Sequence, residues 1–289
     1  MKISGFTIIK NAILNDYPIV EAITSILPVV DEMIVLIGDC DDETETLIAS
    51  IADKKIIMHH SVWNPNLRSG GEVLAEETNK ALALIDSASD WAFYIQADEI
   101  LHEKYHASIR PACEKYLNDK RVLGLLFKYV HFYGTYDYIG DSRRWYDKEV
   151  RIIRNAPGIA AYKDAQGFRI NNDRLPVKPI DAFIYHYGWV KSPKQMLDKH
   201  KNVTRYWYTD DVIESVPRVS DVFDFEDFDS LAKFEGTHPA VMLPRIKKQN
   251  WDIPIDISKK KFTLKDKLLY HFEKITGIRL FGFKNYRTI

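Results

Sequence analysis

The sequence has few cysteines, no long apolar run and almost no net charge, and each of these shortages excludes a class of protein. Its 289 residues include two cysteines, Cys40 and Cys113, which are too few for a disulfide framework or a zinc cluster. Its longest apolar runs, such as Ala22 to Val30, are interrupted and far too short to span a bilayer. Its formal net charge is −1, so the total charge gives no reason to expect nucleic-acid binding.

What remains is the composition of a folded protein in a reducing compartment. Hydrophobic residues make up 46% of the chain, which predicts a sizeable core in one large domain or two small ones. Met1 to Ile3 runs directly into a β-rich segment, so we expect no signal peptide and a cytoplasmic location. The 16 Tyr, 14 Phe and 6 Trp residues are compatible with a sugar-binding cleft, although aromatic cores are more common.

Strand and helix patterns alternate through the first hundred residues. Apolar runs predict strands at Ile3–Ile9, Glu32–Ile37, Lys55–Met58 and Trp91–Ile95. Between them, the spacing of apolar residues predicts helices starting near an Asp16 N-cap with Pro18 in the first turn, at Thr44–Ala52, and at Val73–Ile85. This alternation predicts a parallel sheet with right-handed crossovers.

After Glu99 the pattern becomes less regular. We expect a helix over His102–Tyr116, in whose middle Pro111 sits awkwardly and could split it, and strands at Val122–Tyr133, Val150–Arg154 and Ala182–Trp189. A further helix follows, with Ser192 as its cap and Pro193 in its first turn. The segment from Ser258 to Ile289, named the basic segment below, has nine Lys/Arg against two Asp/Glu, interleaved with apolar residues.

Acidic residues follow two of the predicted strands directly. Asp39 and Asp42 come after the second strand, and Asp98 and Glu99 come after the Trp91 strand. Ligands of open α/β sheets bind at the carboxyl ends of strands, where base and ribose need hydrogen-bond acceptors. Asp39 and Asp42 are therefore candidate nucleotide contacts, with helix capping as the alternative for Asp42.

Asp98 is the natural candidate for a metal ligand. Hard cations such as Mg²⁺ and Mn²⁺ prefer oxygen ligands and often bind one or two protein carboxylates plus substrate phosphates. Glu99 is expected either as a second ligand or as a residue that orients the first. His186, at the end of an aromatic strand, is expected to contact metal or diphosphate. The alternatives are two solvated acids at a strand end and a packed core histidine.

Other polar residues complete the candidate nucleotide site. Lys10 and Asn11 follow the first strand, and Gln96 precedes Asp98. Arg68 lies before two adjacent glycines that permit close backbone approach to a phosphate, although a plain loop explains that pattern equally well. Asn79 lies on the helix that precedes the Trp91 strand.

Together these residues resemble glycosyltransferases of the GT-A fold, most of all family 2 and its bacterial surface-polysaccharide branch. Asp39 and Asp42 match the family's acidic motif, and Asn79 matches its Asn-bearing helix. Gln96-Ala97-Asp98-Glu99 matches an Asp-Ala-Asp-Glu form of its Asp-x-Asp metal motif, with Gln96 in place of the first acid. Arg151-Ile-Ile-Arg154 matches a strand that precedes an acidic residue, here Asp164. The resemblance covers residues 3 to 207.

The resemblance implies a fold, a domain division and a reaction. The fold is a mixed, mainly parallel α/β sheet flanked by helices, with a C-terminal helical extension. The domains are residues 1–190, split into nucleotide-binding (1–101) and acceptor (102–190) halves, and a mainly helical extension over 191–289. The reaction moves a sugar, with inversion, from a UDP-, GDP- or dTDP-sugar to a glycan or lipid-linked acceptor, with Mg²⁺ or Mn²⁺. Asp164, or else Glu149, takes the acceptor proton.

Two other kinds of protein share a sheet of this type. A nucleotidyltransferase needs a glycine-rich loop after the first strand to hold a triphosphate, and Phe6 to Asn11 contains no glycine. A non-catalytic protein that binds nucleotide sugars stays open because Gln96 is neutral. The basic segment fits either contact with anionic lipid or a helix that closes the core and presents a solvated basic face, and the second is slightly favoured.

Overall fold

The computed structural model describes residues 1–215 and 221–289. Its strands are β1 (Ile3–Ile9), β2 (Glu32–Ile37), β3 (Ile56–His60), β4 (Trp91–Tyr94), β5 (Glu99–Leu101), β6 (Gly124–Gly134), β7 (Tyr138–Gly140), β8 (Lys148–Arg154), β9 (Ile159–Tyr162), β10 (Gly167–Ile170), β11 (Asp173–Val190), β12 (Leu231–Lys233) and β13 (Tyr286–Thr288). Its helices are α1 (Ile19–Ile26), α2 (Thr44–Ala49), α3 (Glu72–Ala83), α4 (His106–Lys115), α5 (Pro193–Thr204), α6 (Asp210–Ser215), α7 (Leu243–Ile246) and α8 (Leu264–Thr276). Short 3₁₀ helices span Glu103–Tyr105 and Ala240–Met242.

The strands form one mixed sheet in the order β3-β2-β1-β4-β8-β6-β11-β10-β9. β1 pairs in parallel with β2 and β4, and β2 pairs in parallel with β3, which confirms the parallel sheet predicted for the first hundred residues. β8 runs antiparallel to both β4 and β6, and β6 runs parallel to β11. The predicted fold class, a mixed α/β sheet with helices on its faces and after its last long strand, is confirmed.

Helices cover both faces of this sheet. In β4, Trp91 and Phe93 pack in the same apolar cluster as α1, whereas Ala92 and Tyr94 pack in the cluster that contains Val73 of α3. Successive side chains of a strand point to opposite faces, so the almost continuous apolar run of β4 is what a strand buried on both sides requires. The core therefore holds the carboxyl end of β4 in a fixed position, from which Gln96 and Asp98 follow.

One long strand brings distant parts of the chain together. β11 pairs with β6 on one side and, antiparallel, with the short β5, where His186 lies opposite Glu99. The backbone N–H of Tyr187 also donates to the carbonyl of Asp98 at 2.8 Å. This pairing places His186 beside the acidic end of the Trp91 strand.

Some predicted helix boundaries are wrong. Asp16 does not cap α1, which begins at Ile19 after Pro18; Asp16 instead has φ 48° and its carboxylate lies 2.6 Å from Arg245. Pro111 lies within α4 without splitting it, and the first predicted turn is a 3₁₀ helix that follows His102. The predicted start of α5 is confirmed, because Ser192 and Gln195 form a reciprocal capping box.

The basic segment does not close the core. None of the residues of α8 is buried, so the slightly favoured expectation of a core-closing helix is wrong. The C-terminal strand β13 does join the sheet, in parallel with β11. In the parts of the chain that the structure describes, no helix has both the length and the apolar character needed to cross a membrane.

The predicted division at residue 190 stays a prediction. A third apolar cluster joins Tyr133 of β6 to residues that follow the division, including Met196, Phe225 and Leu231. Residues 216–220 of the predicted extension lie outside the described part of the chain.

Candidate active site

A cavity of about 560 Å³ opens where β1 and β4 end, a volume typical of small-molecule sites. It is lined by five of the residues predicted from the sequence: Lys10, Gln96, Asp98, Asp164 and His186. The first turns of α5 and the chain after it close the opposite side, with Met196, Lys199, His200, Val203 and Tyr206.

Asp98 lies in this cavity between two nitrogen groups. Its Oδ2 is 3.3 Å from Nζ of Lys199, and its Oδ1 is 3.7 Å from Nε2 of His186. Burial raises the pKa of Asp98, but nearby positive charge, that of Lys199 first, outweighs burial and lowers that pKa to about 2. Asp98 is therefore an ionised carboxylate at neutral pH.

Gly188 keeps the space beside this carboxylate open. A Cβ atom at Gly188 would lie 2.6 Å from Oδ2 of Asp98 and 2.8 Å from Nε2 of His186. Any larger residue would collide with both groups. The missing side chain leaves both polar atoms accessible to a small ligand.

A second histidine fixes the tautomer of His186. Nε2 of His131 lies 2.8 Å from the carbonyl of Tyr146, which can only accept, so this nitrogen carries the proton. Burial lowers the pKa of His131 to about 3, so this ring is neutral and its Nδ1 accepts from Nδ1 of His186 at 3.2 Å. Burial also lowers the pKa of His186. A neutral His186 therefore presents the Nε2 lone pair toward Asp98 and the cavity.

Lys199 contributes a positive charge that the sequence analysis did not find. It comes from α5, and its Nζ also donates to the carbonyl of Gly188 at 3.0 Å and lies 4.6 Å from the ring centre of Tyr17. Behind it, Lys191 is 1% exposed, and burial followed by the charge of Lys199 lowers the pKa of Lys191 to about 7. Nothing in the local sequence pattern marks Lys199, because its role depends on how α5 docks on the sheet.

Glu99, although adjacent to Asp98, does not line the cavity. Its two oxygens accept from Nε and Nη2 of Arg151, each at 2.7 Å, and from the hydroxyl of Tyr129 at 2.8 Å. Glu99 and Arg151 are both 0% exposed, so this bidentate pair is sealed inside the protein. The arrangement corrects the expectation of Glu99 as a metal ligand, because its carboxylate is fully engaged away from the cavity.

Arg151 also positions the loop that carries Asp164. Its Nη1 donates to the carbonyl of Gln166 at 2.7 Å, and Nε2 of Gln96 donates to the carbonyl of Ala165 at 3.2 Å. Asp164 is half-buried at the cavity wall, in a turn where Ala165 has φ 57°. Gly71 allows close approach here, since a Cβ there would lie 2.7 Å from that of Asp164.

Glu149, the second candidate base, is not at the cavity. It is 2% exposed and its Oε1 accepts from the backbone of Val150 at 2.8 Å. Burial raises the pKa of Glu149 to about 7, and Arg151 only partly opposes that shift. This placement corrects the prediction of a catalytic role, because a buried carboxyl outside the cavity cannot reach an acceptor hydroxyl.

Another part of the cavity wall is formed by Lys10 and two aromatic rings, and Lys10 pairs with Asp39, which is not itself among the lining residues. Nζ of Lys10 lies 2.6 Å from Oδ1 of Asp39, which also accepts from the backbone of Trp63 at 3.2 Å. The rings of Trp63 and Tyr206 lie 5.3 Å apart at the cavity wall. Nε1 of Trp63 is buried and has no hydrogen-bond partner among the residues that the structure describes.

Two predicted nucleotide contacts instead hold loops together. The side-chain amide of Asn11 donates to Asp41 at 3.0 Å and accepts from its backbone at 2.7 Å. Asp42 accepts from the backbone N–H groups of Ile13 at 2.9 Å, Leu14 at 2.8 Å and Thr44 at 3.1 Å. Asp42 thus has the alternative role considered for it, at the start of α2. Both residues are corrected from ligand contacts to structural ones.

Arg68 and Asn79 are also engaged elsewhere. Arg68 forms two bonds of 2.7 Å with the carboxylate of Asp210, outside the cavity. Oδ1 of Asn79 accepts from the backbone of Ala161 at 2.7 Å and ties α3 to β9. Neither side chain meets the cavity, which corrects the expectation that they contact nucleotide.

Comparisons with known proteins give only distant structural similarity. No protein-family model matches the sequence, and no curated protein matches it. Among solved structures, S. aureus TarS in complex with UDP has 15% identity and a TM-score of 0.42, over 70% of this chain and 64% of that one. Glucosyl-3-phosphoglycerate synthase from Mycobacterium tuberculosis, in complex with Mn²⁺, UDP and phosphoglyceric acid, has 21% identity and a TM-score of 0.31, over 45% of this chain and 43% of that one.

The region that aligns with this chain covers 64% of the TarS chain and 43% of the synthase chain, less than two thirds of either. Because the sequence identities and TM-scores are this low, we infer the function from the residues of the cavity.

Proposed function

We propose that this protein is a glycosyltransferase of the GT-A type that transfers a sugar from a nucleotide-diphosphate sugar to an acceptor hydroxyl with inversion. The observation that carries the proposal is the cavity with two chemically different ends. At one end, Asp98, His186 and Lys199 surround a polar space; at the other, aromatic rings adjoin the Lys10–Asp39 pair. A nucleoside diphosphate needs one aromatic and one charged subsite.

The nucleoside is expected at the Trp63 end. Aromatic rings bind a base through its face, and Asp39 offers a carboxylate to ribose hydroxyls, as acidic residues after the strands of nucleotide-binding sheets do. Lys10, which also lines the cavity, supplies a charge for the diphosphate.

The residues at the other end fit a divalent cation held by few protein ligands. Oδ1 of Asp98 and the Nε2 lone pair of His186 face each other across 3.7 Å, and His131 orients His186 in the way that partners of metal-binding histidines do. In the described part of the chain, no group of three or more acidic, His or Cys side chains could hold a metal, so substrate oxygens and water would complete the shell. Such a cation, Mg²⁺ or Mn²⁺, would neutralise charge on the departing diphosphate.

Lys199 supplies a second charge at the same place. Its ammonium group contacts Asp98 from α5 and stands beside the space left by Gly188. Positive groups placed where negative charge develops lower the barrier to departure of the leaving group. Lys199 is therefore proposed to stabilise the nucleoside diphosphate as the bond between the anomeric carbon and its oxygen breaks.

Asp164 is the proposed general base. It is the one acidic candidate of the two that lines the cavity, on the wall formed by the loop before β10. It takes the proton of the acceptor hydroxyl while the acceptor oxygen bonds to the anomeric carbon, from the face opposite the departing diphosphate. A positioned base typically contributes about 10²–10⁴-fold to the rate.

The acceptor is proposed to be a glycan or a lipid-linked sugar, and the site of action the cytoplasm. A non-catalytic nucleotide-sugar-binding protein stays the second candidate, because Gln96 is bound to the loop of Asp164 and adds no charge beside Asp98.

The test is incubation with a panel of UDP-, GDP-, dTDP- and CMP-sugars, with thermal shift for binding and released nucleotide for turnover. UDP is the first nucleotide to try because both similar structures contain it. We expect one donor to raise the melting temperature and to turn over, and Asp98→Asn to reduce turnover about 10²–10³-fold while the protein stays folded. Binding without turnover by the wild-type chain favours the non-catalytic alternative, and no binding to any donor contradicts both.

A further inference from the structure

Helix α8 of the basic segment is attached to the protein through polar side chains. The hydroxyl of Tyr270 donates to Oδ2 of Asp141 at 2.6 Å, and Nζ of Lys274 donates to Oδ1 at 2.7 Å. Glu273 pairs with Arg143, and Arg279, just after the helix, donates to the carbonyl of Arg143 at 2.7 Å. A helix of a soluble protein normally buries its apolar face, so this attachment is the reverse of the usual one.

The apolar side of α8 faces solvent. Leu264 is 84% exposed, Leu268 is 74% exposed and Ile275 is 85% exposed. At about 100° per residue these three lie within roughly 40° of one another around the helix, so they form a single stripe. The stripe continues past the helix in Phe281, 88% exposed, and Phe283, 76% exposed. An exposed apolar patch of this kind indicates an interaction surface.

Positive charge flanks the stripe. By the same helical spacing, Lys265 lies on one side of it and Lys267 on the other, and both are exposed. The basic segment has a net charge of +7 in a chain whose total is −1. The apolar stripe and the basic flanks thus belong to one surface of one segment, named the docking face below.

We infer that the docking face binds an anionic phospholipid surface. Apolar side chains flanked by lysines enter the headgroup region while the lysines meet lipid phosphates, and each basic residue near the surface adds to the attraction. A second copy of this chain is a poorer occupant, because it would bring the lysines of its own docking face against those of the first. The inference does not depend on the proposed enzymatic activity.

The test is flotation of the full chain with vesicles of phosphatidylglycerol and phosphatidylethanolamine, compared with pure phosphatidylcholine. We expect the chain to float with the anionic vesicles at low salt, to remain unbound with the neutral ones, and to lose binding between about 0.05 and 0.5 M salt. The double variant Leu268→Ser/Ile275→Ser should reduce binding roughly tenfold or more. Both positions are exposed, so the variant keeps its fold.

Val62→Ser is the matched control, because Val62 is 74% exposed and far from the basic segment in sequence. Its vesicle binding should equal that of the wild-type chain. Equal binding by the double variant, or no binding to anionic vesicles at low salt, overturns the inference. Self-association of the wild-type chain in solution that the double variant abolishes also overturns it and assigns the face to a second copy.

Discussion

Asp98 and Glu99 are neighbours in the sequence, yet their carboxylates lie in opposite environments. Asp98 opens onto the cavity, with Lys199 at 3.3 Å and His186 at 3.7 Å. Glu99 is sealed inside the protein by two bonds of 2.7 Å to Arg151. The difference shows that the two acids of one motif have different roles: Glu99 holds the sheet and the Asp164 loop in place, whereas Asp98 is the one that faces the cavity and is proposed to meet a ligand.

The largest expected effect comes from breaking the buried pair. Glu99→Ala leaves Arg151 charged and without its partner in the interior, so we expect the free energy of unfolding to fall by about 3–5 kcal/mol. Urea denaturation measures this. Asp98→Ala is the control and should lower the free energy of unfolding by less than Glu99→Ala, because Lys199 stays at the cavity wall and still donates to the carbonyl of Gly188. Equal losses for both variants would show that the two pairs do not differ in role.

Glu149 is a third acid to compare with Asp98 and Glu99, because it is buried without a salt bridge to any described residue. Its pKa is raised from 4.5 to about 7. The folded state therefore binds more protons than the unfolded state between those values, so Glu149 lowers stability as pH rises through that window. The stability of Glu149→Gln relative to the wild-type chain should therefore be about 2.5 kcal/mol higher at pH 8 than at pH 5. Urea denaturation at both pH values measures the difference, and a variant whose relative stability is the same at both contradicts the raised pKa.

The smallest expected effect comes from the cavity cation. Lys199→Met removes a charge beside Asp98, and we expect turnover of the nucleotide sugar to fall about 10–100-fold, equivalent to about 1.4–2.7 kcal/mol. The loss should be larger in EDTA than in Mn²⁺, because a bound cation partly replaces the missing charge. Lys199→Arg is the control and should keep most of the activity. Full activity of Lys199→Met in EDTA would remove Lys199 from the mechanism.

Local sequence was sufficient for much of the fold. The predicted bounds of β1 and β2 agree with the structure, and the strand–helix alternation of the first hundred residues does form a parallel sheet. Apolar periodicity and caps such as Ser192 act over a few residues, so they are visible in one sequence. Asp16 shows where local patterns fail to predict structure, because its bond to Arg245 spans 229 positions and overrides its preference for capping a helix.

The candidate site was predictable only in part. Lys10, Gln96, Asp98, Asp164 and His186 do meet at one cavity, since the ends of parallel strands converge there. Six other predicted residues do not line that cavity and bind groups of the protein instead: Asn11, Asp42, Arg68, Asn79, Glu99 and Glu149. Their patterns in the sequence are the same whether the partner is a ligand or another group of the protein.

The sequence by itself determined where the strands lie and that acidic residues follow them, because periodicity and abrupt polarity changes are properties of a short stretch of chain. Only the tertiary structure decided that Asp98 faces the cavity and Glu99 the interior. The partners responsible lie far away in the chain: Lys199 is 101 positions from Asp98, and Arg151 is 52 positions from Glu99. Which of two adjacent carboxylates meets a ligand depends on where those cations arrive when α5 and β8 pack against the sheet.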